Sequence, residues 1–321
     1  MIKGTVITTS PTLLQQFRSF YFRNYPNSLE ETIEYFAVFG GIGWDIDTDL
    51  PIFELIETLI LDNYTFFYNE IIDMTLGDKL NHAILTGIAL GDRRTHSAYK
   101  RAHISEHTGA PVLEYLCRSG IISLEPSREK PPLKEYPNQK LKKEVEKHQI
   151  SDKLNFVSPF MRFWFSFVAP LHRGIEKGEY AEIRERFDNR GHRFSSLVFE
   201  KLSIELLKQV SSKDPIVEIS SYWDRNVEID ILAKTVSGQT IVAECKYTNT
   251  KVNKSELTKL IEKCTLANIK ADHYVLFSKR GFSNELVSLQ DPTLSLYTLD
   301  DFKLLLEELS EDDLIAGYQN P

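Results

Sequence analysis

A chain of 321 residues that is 42% hydrophobic has ample apolar content to pack cores for two or three domains. Its net charge of −8 argues against a protein that coats nucleic acid through bulk electrostatics, although a local basic groove stays compatible because steering follows charge distribution. Cys117, Cys245 and Cys264 lack C-x-x-C spacing, which argues against a disulfide framework or zinc cluster; with no leader-like N-terminus and no long apolar run, a cytoplasmic protein without a membrane segment is expected.

Residues 1–78 read as a helical N-terminal region. Thr9 or Ser10 is placed to cap a helix starting at Pro11, and Leu29 to Phe39 (LEETIEYFAVF) forms a second helical stretch. Gly40, Gly41 and Gly43 break it. No lysine follows these glycines, and Gly-Lys occurs nowhere in the chain, so the phosphate-binding loop of P-loop ATPases is absent. Asp45, Asp47 and Asp49 alternate as in a calcium loop, but Leu50-Pro51 stands where that loop needs glycine, which favours a solvated loop or strand end.

Residues 79–126 read as a winged helix. Leu80 to Leu90 is a helix closed by Gly91, Tyr99 to Ile104 leads into a short helix, and His107-Thr108-Gly109 is expected to turn into a recognition-type helix at Pro111 to Ser119. Gly120 stops that helix, and Ile121 to Leu124 begins a wing strand. The recognition-type helix offers Glu114 and Arg118 but few other donors, which favours a spacer or dimerisation module over DNA reading. His103 and His107 satisfy H-x-x-E-H, but the expected turn at Thr108-Gly109 denies them the helix a zinc site needs. Residues 127–155 read as a proline-rich, charged linker, with Lys140, Lys142, Lys143 and Lys147 on a solvated face.

Residues 156–321 open with an aromatic cluster, Phe156 to Phe167, dense enough to imply burial between domains. His192 to Val210 has amphipathic helical spacing and contains Glu200; Ile216 to Tyr222 reads as a strand. VEIDILAKT and TIVAECKYT then form a hairpin. If its loop is Ser237-Gly238-Gln239, Val236 faces Thr240 and Asp230 faces Lys246, so Glu228, Asp230, Glu244 and Lys246 share one sheet face. Two converging carboxylates form a hard-oxygen site for Mg2+ or Mn2+, and a lysine two residues beyond the second acid can orient an attacking water. Alternating charges on a solvated strand are the plainer alternative. Ser255 to Ile269 reads as a helix, His273 to Phe277 as a strand, and Asp300 to Asp313 as a terminal helix. Lys251, Lys254, Lys279 and Arg280 are candidate phosphate contacts beside the acids.

The order helix, three strands, helix, strand, with Asp230 and Glu244-Cys245-Lys246 in place, resembles the PD-(D/E)XK nuclease superfamily. FMRFWFSFVAP, GHRFSSLVFEKL, YWDRNVEIDILA and VAECKY look like the domain of unknown function 234 attached to archaeal and bacterial ATPases. FAVFGGIGW is similar to the junction that follows the nucleotide-binding domain in those ATPases, so the chain resembles their back half without the motor. The resemblance implies an α+β multidomain chain with a C-terminal restriction-endonuclease-like domain. It further implies Asp230 and Glu244 as metal ligands, a water-positioning role for Lys246 and Glu200 as an auxiliary acid; Ile229-Asp230 stands where the family has Pro-Asp. The expected activity is a divalent-metal-dependent DNA endonuclease, with the Cys245 carbonyl as a third metal contact. The alternative is an inactive nucleic-acid-binding or ATPase-partner module that retains the fold, with a homodimer possible. An RNA-directed nuclease is a third reading, because the chemistry acts on the phosphate.

Overall fold

The computed structural model describes residues 11–133, 136 and 138–307. The first helix, α1 (Leu13–Asn24), starts two residues later than the sequence suggests. Thr12 caps it in a reciprocal box with Gln15, whereas Thr9 and Ser10 lie outside the described residues. Ser28 caps α2 (Leu29–Phe39), which is buried on nearly every side. The glycines after it serve close packing. The Gly40 carbonyl accepts from Phe160 N (3.0 Å) and Ser158 Oγ (3.1 Å), and Gly41, at φ 87°, leaves room for Ser158 that a Cβ would fill. Asp45, Asp47 and Asp49 sit exposed in the following loop. Next come α3 (Ile52–Leu55), continued as a π-helix over Ile56–Leu61, and α4 (Tyr64–Met74).

Three further helices, α5 (Lys79–Leu90), α6 (Thr95–Arg101) and α7 (Glu106–Arg118), precede β1 (Ile122–Glu125). Contrary to the expected turn at His107-Thr108-Gly109, α7 starts at the Ser105 cap and runs through Gly109 and Pro111. Gly109 serves close packing within the helix: a Cβ there would lie 2.3 Å from the Tyr99 ring. The stretch expected to be linker also ends in structure. After α8 (Lys143–Glu146), β2 (Lys153–Phe156) pairs antiparallel with β1, Ile122 opposite Phe156 and Glu125 opposite Lys153.

The aromatic segment forms α9 (Pro159–Phe163), continued as π-helical and 3-10 turns to Leu171, followed by α10 (His172–Ile175). Phe160, Phe163, Trp164, Phe165 and Phe167 are buried, as their density requires. The long α11 (Ala181–Val210) begins eleven residues before His192 and passes Gly191 without a break. The sheet has the order β3 (Ile216–Trp223), β4 (Glu228–Thr235), β5 (Thr240–Lys246), β6 (His273–Ser278), β7 (Leu294–Thr298); the first three strands are antiparallel and the last three parallel. Helix α12 (Lys254–Leu266) makes the β5–β6 crossover, and α13 (Asn284–Val287) lies between β6 and β7. A 3-10 segment, Leu299–Leu306, replaces the first part of the expected terminal helix; residues 308–313 lie outside the described residues.

Each sheet face has its own core. Ile231, Ala233, Ala243 and Phe277 pack towards α11, while Leu232, Val242 and Leu276 pack with Leu257, Leu260 and Cys264 of α12. The first of these cores continues without interruption through α9 and α2 to Phe17 of α1. The sections 1–78, 79–126, 127–155 and 156–321 therefore share one hydrophobic core.

Candidate functional site

The β4–β5 hairpin positions the acids. Its loop is odd in length, as the sequence suggests, but it lies one residue earlier: Thr235 N–H donates to the Gln239 carbonyl (3.0 Å), Lys234 pairs with Thr240, and Gly238 turns at φ 88°. Moving both strands by one residue preserves parity. Continuing from the Ile231–Ala243 pair brings Asp230, instead of Leu232, level with Glu244, so the expected pairing of Asp230 with Lys246 is replaced.

A β-bulge supplies the second correction. On β3, Ser220 pairs with Leu232 and Tyr222 with Ile229, leaving Asp230 and Ile231 together opposite Ser221. Alternation breaks there. Ile229 packs in the α12-side core although Ile231 packs in the α11-side core. Glu228, expected to join the other acids, is instead turned to Lys153 Nζ (2.6 Å) and Arg94 (3.5 Å).

Asp230 is fixed by the next strand, with Cys245 N–H donating to its Oδ2 at 2.8 Å. Burial, then the charges of Glu244 and Glu200, hold its carboxyl well above the usual range, against the opposing pull of Cys245 N–H and Lys263. Glu244 is buried on the side facing α12. Its Oε1 accepts from Lys246 Nζ (2.8 Å) and its Oε2 from Lys263 Nζ (2.7 Å). Lys246 also reaches Glu256 (3.1 Å) at the start of α12. Burial works against the Lys246 ammonium, but its bonds and proximity to Glu244 and Glu256 outweigh that and raise its pKa.

Glu200 reaches the site from α11, its charge bearing on Asp230 and on the Cys245 thiol, which burial pushes up. The Cys245 side chain packs towards α11, so its backbone is what faces Asp230. A cation the sequence did not flag stands near Glu200: Arg162, whose Nη1 donates to the Phe194 carbonyl (3.1 Å) and whose guanidinium lies 4.0 Å from the Phe194 ring centre. Burial, then the charge of Arg93, lowers its pKa to about 9, with Glu200 opposing. Lys153, Glu256 and Lys263 were likewise missed as site residues. The only available signal was the helical spacing that puts Glu256, Lys259 and Lys263 along one side of α12.

The expected phosphate contacts divide into two groups. Lys251 is exposed and Lys254 lies 3.7 Å from Glu285, both near the start of α12. Lys279 and Arg280 instead face α2: Lys279 lies 2.7 Å from Glu30 and 3.7 Å from Glu34, over the Tyr247 ring, while Arg280 grips both oxygens of Glu30.

Among the described residues, no group of three or more His, Cys, Asp and Glu side chains could hold a metal ion. The neighbouring Asp230 and Glu244 nevertheless suit a hydrated Mg2+ or Mn2+, which takes one or two carboxylates and keeps its waters, and the repulsion that, after burial, raises Asp230 is relieved by a bound cation. A cation needing a full protein cage does not fit.

A family profile for archaeal and bacterial proteins of unknown function, domain of unknown function 234, matches residues 164–259. The match spans Glu200, Asp230, Glu244 and Lys246 and ends before Lys279 and Arg280. No curated protein and no solved structure matches the chain.

Proposed function

We propose that this chain is a divalent-metal-dependent nuclease that hydrolyses DNA phosphodiester bonds. The observation that carries the reading is that the β4–β5 pairing sets Asp230 level with Glu244, near enough for the two charges to bear on each other, with Lys246 Nζ 2.8 Å from the same glutamate. Asp230 and Glu244 would hold Mg2+ or Mn2+, which when bound supplies charge to the phosphate and acidifies a coordinated water. Lys246 then exchanges its contact with Glu244 for the attacking water and orients it. Cys245 N–H keeps Asp230 aimed, and Glu200 adds negative charge that draws a cation to the pair. The order helix, three strands, helix, strand supports assigning the C-terminal part to the PD-(D/E)XK type. Three helices followed by the antiparallel β1–β2 pair support the winged-helix reading of the preceding part.

A second reading has its own observation: both Glu244 oxygens carry an ammonium, and Lys279 and Arg280 are taken up by α2. This favours an inactive module that retains the fold and partners nucleic acid or an ATPase. The two are separated by Mn2+ titration calorimetry alongside cleavage of linear, circular and single-stranded DNA and of RNA. The nuclease reading expects Mn2+ binding that Asp230→Ala abolishes, and cleavage lost in Asp230→Ala and Lys246→Ala while the thermal transition persists. Unchanged cleavage by both variants would falsify it; absent Mn2+ binding and absent cleavage would support the second reading.

A further inference from the structure

Away from the acidic site, a cavity of about 930 Å³ opens between α4, α5, α6 and the aromatic helix that begins with α9. Its size is that of a small-molecule site. Its lining departs from the chain's character. The protein carries 46 acidic residues and a net charge of −8, yet no acidic residue lines this cavity. The two charged side chains come from one element, Lys100 and Arg101 in the last turn of α6, with His103 just beyond it. Among the described residues, neither Lys100 nor Arg101 has an ion-pair partner. His103 is held at φ 55°, in the left-handed region, where it joins the wall instead of continuing the helix.

Three aromatic residues share the lining. Tyr64 and Tyr68 of α4 lie with ring centres 5.6 Å apart, and Tyr64 stacks on Trp164 at 5.7 Å and an interplanar angle of 6°. Unpaired cations sharing a cavity with aromatic rings are complementary to one ligand chemistry, a planar ring joined to a negatively charged group.

We propose that this cavity binds a mononucleotide, its phosphates on Lys100 and Arg101 and its base against Tyr68 and the stacked Tyr64–Trp164 pair. The site is one of recognition. The chain has no Gly-Lys phosphate loop, and no carboxylate lines the cavity to bind a metal or activate water for hydrolysis.

The test is isothermal titration calorimetry of the full chain with ADP, pyrophosphate and adenosine, an experiment independent of nuclease activity. ADP is expected to bind with one-to-one stoichiometry and more tightly than pyrophosphate or adenosine. Lys100→Glu combined with Arg101→Glu should weaken ADP binding at least tenfold, about what the loss of one charge-assisted contact costs. Ala83→Trp, which fills the cavity from α5, should abolish it. Arg101→Gln, a milder exposed change, should give an intermediate loss and guards against misfolding of the double variant. Absence of ADP binding, binding indifferent to both the charge-reversed and the filled variants, or pyrophosphate binding as tightly as ADP would each overturn the proposal.

Discussion

Glu125, at the end of β1, shows how single residues tie the helical part to the sheet. Its Oε1 accepts from Ser221 N–H (2.7 Å) and Ser221 Oγ (2.8 Å), and Lys201 stands 3.5 Å from its other oxygen. Burial alone would raise its pKa, but Lys201, Ser221 and Lys153 together depress it to about 2. A carboxylate depressed on folding contributes stability above its unfolded pKa, near 4.5, and loses it as pH falls towards 2. Glu125→Gln is therefore expected to cost about 2–3 kcal/mol in urea denaturation at pH 7, with the deficit shrinking below pH 4.5; a deficit independent of pH would refute this linkage. Asp230 has the opposite sign. Its raised pKa means that the folded state loses stability as pH rises through that value. In metal-free buffer at pH 8, Asp230→Asn should gain on the order of 1–3 kcal/mol. The gain should vanish below the ordinary aspartate value of 3.8, so an asparagine variant less stable at pH 8 would contradict the burial of an ionised carboxylate.

At the scale of elements, what could be read from the sequence was what local pattern determines. The hairpin, its odd loop and the order of helices and strands from Glu200 to β6 follow from alternation, helical periodicity and a glycine able to adopt positive φ, whereas α13 and the strand β7 were not read. The bulge at Asp230 could not be read this way, because it arises from the pairing of β4 with β3 and leaves no mark in β4 itself. Nor could β2, whose four residues LNF and Lys153 sit after a proline-rich run and become a strand only through β1. Helix α7 is the converse case, a helix that runs through a turn signal. Alanine is the better helix former at Gly109 by about 1 kcal/mol, but its Cβ would meet the Tyr99 ring at 2.3 Å. Gly109→Ala is thus expected to destabilise by about 1–3 kcal/mol, the cost of overpacking. Thermal denaturation checks it, and a raised midpoint would mean that Tyr99 yields freely.

Across the whole molecule, the N-terminal helices are part of the structure that holds the sheet. Glu30 and Glu34 of α2 engage Lys279 and Arg280 at the end of β6, and the Lys279 side chain is only 6% exposed. Burial limits screening by salt, and removing one partner strands the other charge. Lys279→Ala should cost about 3 kcal/mol or more, and a double-mutant cycle with Glu30→Ala should return a coupling of about 1–3 kcal/mol. Additive effects would mean that the contact is incidental. The apolar counterpart reaches further. Phe17, Phe36 and Phe39 lie in the same core as Phe199 and Leu202 of α11 and Phe277 of β6, and Arg18 Nε donates to the Leu305 carbonyl at 2.6 Å. A chain starting at Phe156 retains all of α11 and the sheet but exposes the surfaces that α1 and α2 cover, where each lost large side chain removes about 1.5–3 kcal/mol of burial. Since a domain holds only about 5–15 kcal/mol in total, that fragment is expected to bind a hydrophobic dye and to melt without a cooperative transition. A sharp calorimetric transition in the fragment would show that the sheet folds on its own and that the shared core is only a docking surface.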